Sequence, residues 1–88
     1  MDLQTCRQQL DAIDTEMKLL FLKRMQIVSE VAQYKKEKAM PIFDATREAN
    51  MKQRLSADLN EVDKENYLAF LNALLEISRK HQERLLCD

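Results

Sequence analysis

Residues 2–38 read DLQTCRQQLDAIDTEMKLLFLKRMQIVSEVAQYKKEK, a run without Gly or Pro. Its apolar residues recur at alternating spacings of three and four: Leu3, Cys6, Leu10, Ile13, Met17, Leu20, then Arg24, then Ile27, Val31 and Tyr34. This is the heptad seam of a helix that packs on another helix, apolar or aromatic at every position except Arg24. The spacing predicts one unbroken helix from Asp2 to Lys38, roughly 55 Å long. A compact chain of this length has a radius of gyration of only about 12 Å. The helix therefore projects beyond anything the remaining residues can build, and its seam needs a second chain to cover it. A homodimer is the expectation.

Outward from this helix, the first break is Lys38-Ala39-Met40-Pro41-Ile42-Phe43. Pro41 disfavours the helical conformation at Met40 and ends the run. Asp44 then reads as the N-cap of a second helix, Ala45 to Ala57. Ser56 to Val62 reads as a polar turn, and Asp63 as the N-cap of a third helix, Lys64 to Leu86. That helix carries the stripe Leu68, Leu71, Leu75, Ser78, Gln82 and Leu85, flanked by Phe70, Leu74 and Ile77. The fold class is all-α, with three helices in one domain spanning residues 1–88 and no internal repeat.

Composition narrows the function classes. One third of the residues are charged and 45% are apolar, a globular balance. With no Gly in the chain there is no low-strain residue for positive φ, which argues against tight β-hairpins and Gly-rich phosphate loops. A net charge of −1 argues against a nucleic-acid surface. No apolar run approaches a membrane span, and Met1-Asp2-Leu3-Gln4 does not open a signal peptide. The expected location is the cytoplasm, with Cys6 and Cys87 as thiols. These cysteines make no metal motif with the lone His81, which is read as facing away from the stripe. No metal and no cofactor are expected.

The informative residues are polar ones in positions that the pattern reserves for the core. Arg24 interrupts the seam. A buried guanidinium is costly unless an anion meets it, so Arg24 is either half of a structural ion pair, a register-setting residue, or a ligand for an anion. Lys35 lies 11 residues further on, close to three full turns, and so shares a face with Arg24 at a Cα separation of roughly 16 Å. Alone it reads as a solvated lysine; with Arg24 it forms a pair of cations. Ser78 and Gln82 interrupt the third helix's stripe one turn apart, either as a wet patch with Ser78 bonded to its own backbone, or as neutral groups facing a polar cavity. Asp44, Arg47 and Glu48 cluster in the first turn of the second helix. Capping and the helix dipole explain Asp44 and Glu48, but not Arg47. Arg7 lies roughly 25 Å from Arg24 along the same helix. It is a surface arginine or a contribution to a partner's site, which an antiparallel crossing of two long helices would allow.

Together these positions describe a pocket between helices with several cations, two carboxylates and two neutral hydrogen-bonding groups. It has no activated nucleophile, which is a poor outfit for covalent or metal chemistry. It suits a small anion with at least two carboxylates.

At this point the chain resembles the all-helical chorismate mutases. The segments that carry the resemblance are Leu3-x-x-x-Arg7-x-x-Leu10-x-x-Ile13-Asp14, Leu19-Leu20-x-x-x-x-Arg24-Met25, Val28-x-x-Val31-Ala32-x-x-Lys35, Pro41-Ile42-x-Asp44-x-x-Arg47-Glu48 and Ser78-x-x-x-Gln82. The resemblance implies an intertwined homodimer with two equivalent sites, each taking Arg7 from the opposite chain. It implies the rearrangement of chorismate to prephenate, a step toward phenylalanine and tyrosine. By that resemblance Arg7 and Arg24 bind the substrate's two carboxylates, and Arg47 adds positive charge. Lys35 and Gln82 donate to the ether oxygen, Asp44 and Glu48 hold the ring hydroxyl, and Ser78 contacts a carboxylate. Lys35, Gln82, Arg24 and Glu48 are thus the expected catalytic residues. A neutral amide at Gln82 donates at any ordinary pH, so activity should not require acid. The competing readings are an isochorismate–pyruvate lyase of the same fold and a non-catalytic helical dimer that binds protein partners. The resemblance leaves open whether the chain stands alone or is one domain of a bifunctional enzyme.

Overall fold

The computed structural model describes residues 2–86, and among these the chain is all-helical: α1 spans Leu3–Glu37, α2 Ala45–Ser56 and α3 Glu61–Leu86. Asp2 lies just outside α1 as its N-cap, its side chain accepting from the Thr5 backbone N–H at 2.7 Å. At the other end Lys38 is the C-cap and Ala39 takes φ 54°, the left-handed conformation. The Ala39 N–H bonds the Lys36 carbonyl at 3.3 Å and the Met40 N–H bonds the Lys35 carbonyl at 2.8 Å. These two bonds form a Schellman turn, built here on alanine where glycine is usual. The absence of Gly therefore does not keep the chain out of positive φ; the closing turn of α1 needs it and Ala39 adopts it.

Asp44 caps α2, accepting from the Arg47 N–H at 3.0 Å. The start of α3 differs from the sequence reading. The helix begins at Glu61, and Asn60 is its cap, not Asp63. The Asp63 N–H donates to Asn60 Oδ1 at 2.8 Å and Asn60 Nδ2 donates to Asp63 Oδ2 at 3.0 Å. Asp63 thus sits in the third helical position and returns the bond, much as in a capping box.

α3 packs against both α1 and α2 and is the element that joins them. The pairings Arg24–Ser78 and Ser29–His81 advance together along α1 and α3, so the two helices run in the same sense where they touch. The apolar core is small: Val28 and Ala32 from α1, Leu71 and Leu75 from α3. Continuing the α3 stripe toward its C-terminus, Ser78 and Gln82 are also buried, whereas Leu85 is exposed. The side chains that α1 buries against α3 thus lie on the flank of its heptad seam, although Arg24 of the seam itself reaches Ser78. Ile27 and Val31, one residue before the buried Val28 and Ala32, remain 54% and 39% exposed. Toward the N-terminus the seam is barer still: Leu3, Leu10, Ile13, Met17 and Leu20 are between 47% and 64% exposed. The molecule measures 53 × 27 × 15 Å with a radius of gyration of 16.2 Å, well above the compact expectation because α1 projects. Cys6 is a free, half-buried thiol; Cys87 lies outside the described residues. No described helix is long and apolar enough to cross a membrane.

Candidate functional site

Where α1, α2 and α3 converge they leave a cavity of about 250 Å³. Arg24 and Lys35 enter it from α1, Asp44, Arg47 and Glu48 from the start of α2, and Ser78 and Gln82 from α3. These are seven of the eight residues singled out above. The eighth, Arg7, does not line the cavity. Ile27, Val28 and Leu75 supply apolar wall.

Arg24 is half-buried, and its guanidinium Nη1 donates to Ser78 Oγ, whose own hydroxyl donates to the Leu74 carbonyl at 2.9 Å. Ser78 thus bonds its own backbone and faces the cavity at once. Among the described residues Arg24 makes no ion pair, and neither do Lys35 and Arg47. Burial, and after it the nearby Arg47 guanidinium, hold Arg24 below the ordinary arginine range. Two like charges thus repel one another at the cavity, and neither has an ion-pair partner among the described residues.

Lys35 is positioned by the turn that ends its helix. Its carbonyl accepts from Met40, and its Nζ donates to the Ile42 carbonyl at 2.7 Å. The ammonium, which lines the cavity, is thereby tied to the segment that follows Pro41. Asp44 spends one carboxylate oxygen on its capping bond. Gln82 is only 7% exposed, and its amide oxygen, fully buried, has no hydrogen-bond partner. An unmet buried polar atom is unfavourable, and a partner is expected to meet it.

Two further residues make contacts that the sequence pattern does not reveal. Arg79, which no periodicity singles out, lines the cavity, pairs with Glu48 Oε1 and lies over the Phe43 ring at 5.3 Å from its centroid. His81, expected to face away from the stripe, meets α1 from that flank: its Nε2 lies 2.8 Å from Ser29 Oγ. The Ser29 hydroxyl also donates to the Met25 carbonyl at 3.1 Å, so His81 Nε2 supplies the N–H of the shared bond. His81 lies outside the cavity lining. No cluster of three or more His, Cys, Asp or Glu close enough to hold a metal occurs among the described residues.

Counted together, four cations and two carboxylates line the cavity, an excess of two positive charges. A larger groove of about 570 Å³ lies nearer the N-terminus between Met17, Leu20 and Phe21 of α1 and Phe70, Leu74 and Ile77 of α3. Its exposed surface is almost wholly apolar, although Asp14, Lys18 and Arg24 border it, and it continues the exposed seam, whereas the polar and charged side chains gather in the smaller cavity.

The family model described as chorismate mutase type II matches residues 6–83 of the chain, which includes every residue around the charged cavity. No curated protein and no solved structure gives a significant match. Residues 6–83 cover all three helices almost entirely, and the chain belongs to the chorismate mutase type II family.

Proposed function

We propose that this chain converts chorismate to prephenate in the cavity between its three helices. The observation that carries the reading is the unmet positive charge: a half-buried Arg24, repelled by Arg47 and without an ion-pair partner, in a cavity with two cations in excess. A dicarboxylate supplies the missing charge.

The rearrangement is intramolecular. The ether C–O bond breaks as a new C–C bond forms, with no proton transfer and no covalent intermediate. The protein must hold the substrate in a folded, chair-like conformer and stabilise the charge that builds on the ether oxygen. Arg24 takes one carboxylate, with Ser78 beside it. Lys35 and Gln82 donate to the ether oxygen. Gln82 does so as a neutral amide, at any ordinary pH. Arg47 raises the local potential, and Asp44 and Glu48 hold the ring hydroxyl. The second carboxylate goes to Arg7 of another copy of the chain. Arg7 is exposed and outside the cavity of its own chain, and the apolar seam around it is uncovered, which supports a homodimer in which the long helices cover one another.

The test is conversion of chorismate near neutral pH, with Arg24→Ala beside the wild type. Wild-type turnover is expected, and the variant should lose about 2–5 kcal/mol of transition-state binding while keeping its helical content. A folded wild type that leaves chorismate untouched overturns the proposal. Elimination of pyruvate from isochorismate by that protein would put the lyase in its place.

A further inference from the structure

We propose that Arg79 is a positioning residue of this site: by pairing with Glu48 it fixes that carboxylate and cancels its charge, so that a dianion enters without meeting a bare acid. The inference rests on the mutase reading and adds to it a residue outside the set that the resemblance supplies. Glu48 lies in the first turn of α2 and Arg79 on the flank of α3, and their ion pair bridges the two helices at the wall of the cavity. Their side chains are 14% and 30% exposed, so the pair is partly shielded and is not a solvated surface contact.

Arg79 is itself held. Its guanidinium lies over Phe43, the residue that precedes the Asp44 cap, so one side chain touches both the entry to α2 and its first turn. Its neighbours along α3 are the cavity residues Ser78 and Gln82. Without Arg79 the positive excess of the cavity falls from two to one, and a half-buried carboxylate with no partner faces an incoming dianion. Because the repulsion acts on bound substrate and transition state alike, the loss belongs in KM more than in kcat.

The experiment is a double-mutant cycle on the full chain with chorismate: wild type, Arg79→Met, Glu48→Gln and the double variant, with Arg79→Lys as the conservative replacement. Arg79→Met is expected to raise KM about tenfold with kcat within about threefold. In the Glu48→Gln background the same change should add less than about twofold, since Arg79 acts through Glu48. Arg79→Lys, which keeps the charge but not the flat group over Phe43, should recover much of the lost affinity. The cycle is run in parallel with Arg79→Gln, so that a folding defect in one variant leaves the other to decide. Two outcomes overturn the inference: a folded Arg79 variant with wild-type KM, whatever its melting temperature, or losses at 79 and 48 that simply multiply. A wild type inactive on chorismate overturns the mutase reading and this inference with it, whereas an active wild type beside an unaffected Arg79→Met overturns this inference alone.

Discussion

Lys35 Nζ lies 2.7 Å from the Ile42 carbonyl oxygen, so the ammonium that the proposed mechanism aims at the ether oxygen also ties the end of α1 to the segment leading into α2. Replacing it removes both functions, and their sizes differ. One hydrogen bond from a charged donor, partly open to water, contributes about 1–2 kcal/mol to the fold. A donor placed where negative charge develops contributes about 3–4 kcal/mol to the barrier, or about 10²–10³ in rate. Lys35→Ala should therefore lose about 10²–10³ in kcat while unfolding only slightly more easily in urea. A variant as fast as wild type would remove Lys35 from the chemistry and leave it a tether. How each residue around the cavity could be found in the sequence follows from the same physics. Arg24, Ser78 and Gln82 stand out because each interrupts an apolar period. Lys35 stands out by its three-turn alignment with Arg24. Arg79 interrupts nothing: it flanks the stripe, where a charge is ordinary, and only its ion pair with a residue on another helix reveals it. His81 was hidden for the same reason, its contact with Ser29 being a matter of which flank of α3 meets α1.

At the scale of elements, the two turns test how far local chemistry specifies a boundary. Pro41 ends α1 as its sequence requires, but the turn itself is a Schellman closure with Ala39 at φ 54°. An alanine in that conformation costs about 1–2 kcal/mol, while a glycine there costs about 0.5–1 kcal/mol in lost backbone freedom. Ala39→Gly should thus stabilise the protein by about 0.5–1 kcal/mol and raise the melting temperature by about 2–8 °C at fixed protein concentration. Kinetics should not change, because Ala39 lies outside the cavity. A lower melting temperature would mean that the turn does not hold Ala39 in the left-handed region. The start of α3 is harder to read. Asn60 and Asp63 are both good caps three residues apart, and the earlier one prevails because Asp63 can then return a bond to it. The existence and order of the three helices are legible, since periodicity and Pro41 suffice. Which face of α1 meets α3 is not. The heptad points to Ile27 and Val31, whereas Val28 and Ala32 are the buried pair, because a flank of the seam one residue further on is apolar enough to pack on α3 as well.

At the scale of the whole molecule, the seam is the unfinished part. α1 extends along a molecule 53 Å long, and the apolar seam residues of its first half are about half exposed or more, while among the described residues the apolar core holds four side chains. A stripe of this length calls for a cover, and in the proposed homodimer a second copy brings the matching heptad. In the proposed dimer, each cavity draws Arg24 from one chain and Arg7 from its partner. Mixing two inactive variants tests this sharing directly. Arg7→Ala chains keep Arg24, and Arg24→Ala chains keep Arg7. In a mixed dimer one cavity receives both native arginines and the other receives neither. After unfolding and refolding an equal mixture, half the dimers are mixed, and about a quarter of wild-type activity should return. Differently tagged chains, captured through one tag and detected through the other, verify that exchange has occurred. If Arg7 instead acts within its own chain, or not at all, no cavity in the mixture is better than in the separate variants. Proven exchange without recovered turnover would then remove Arg7 from the partner's cavity and leave each cavity to the residues of a single chain.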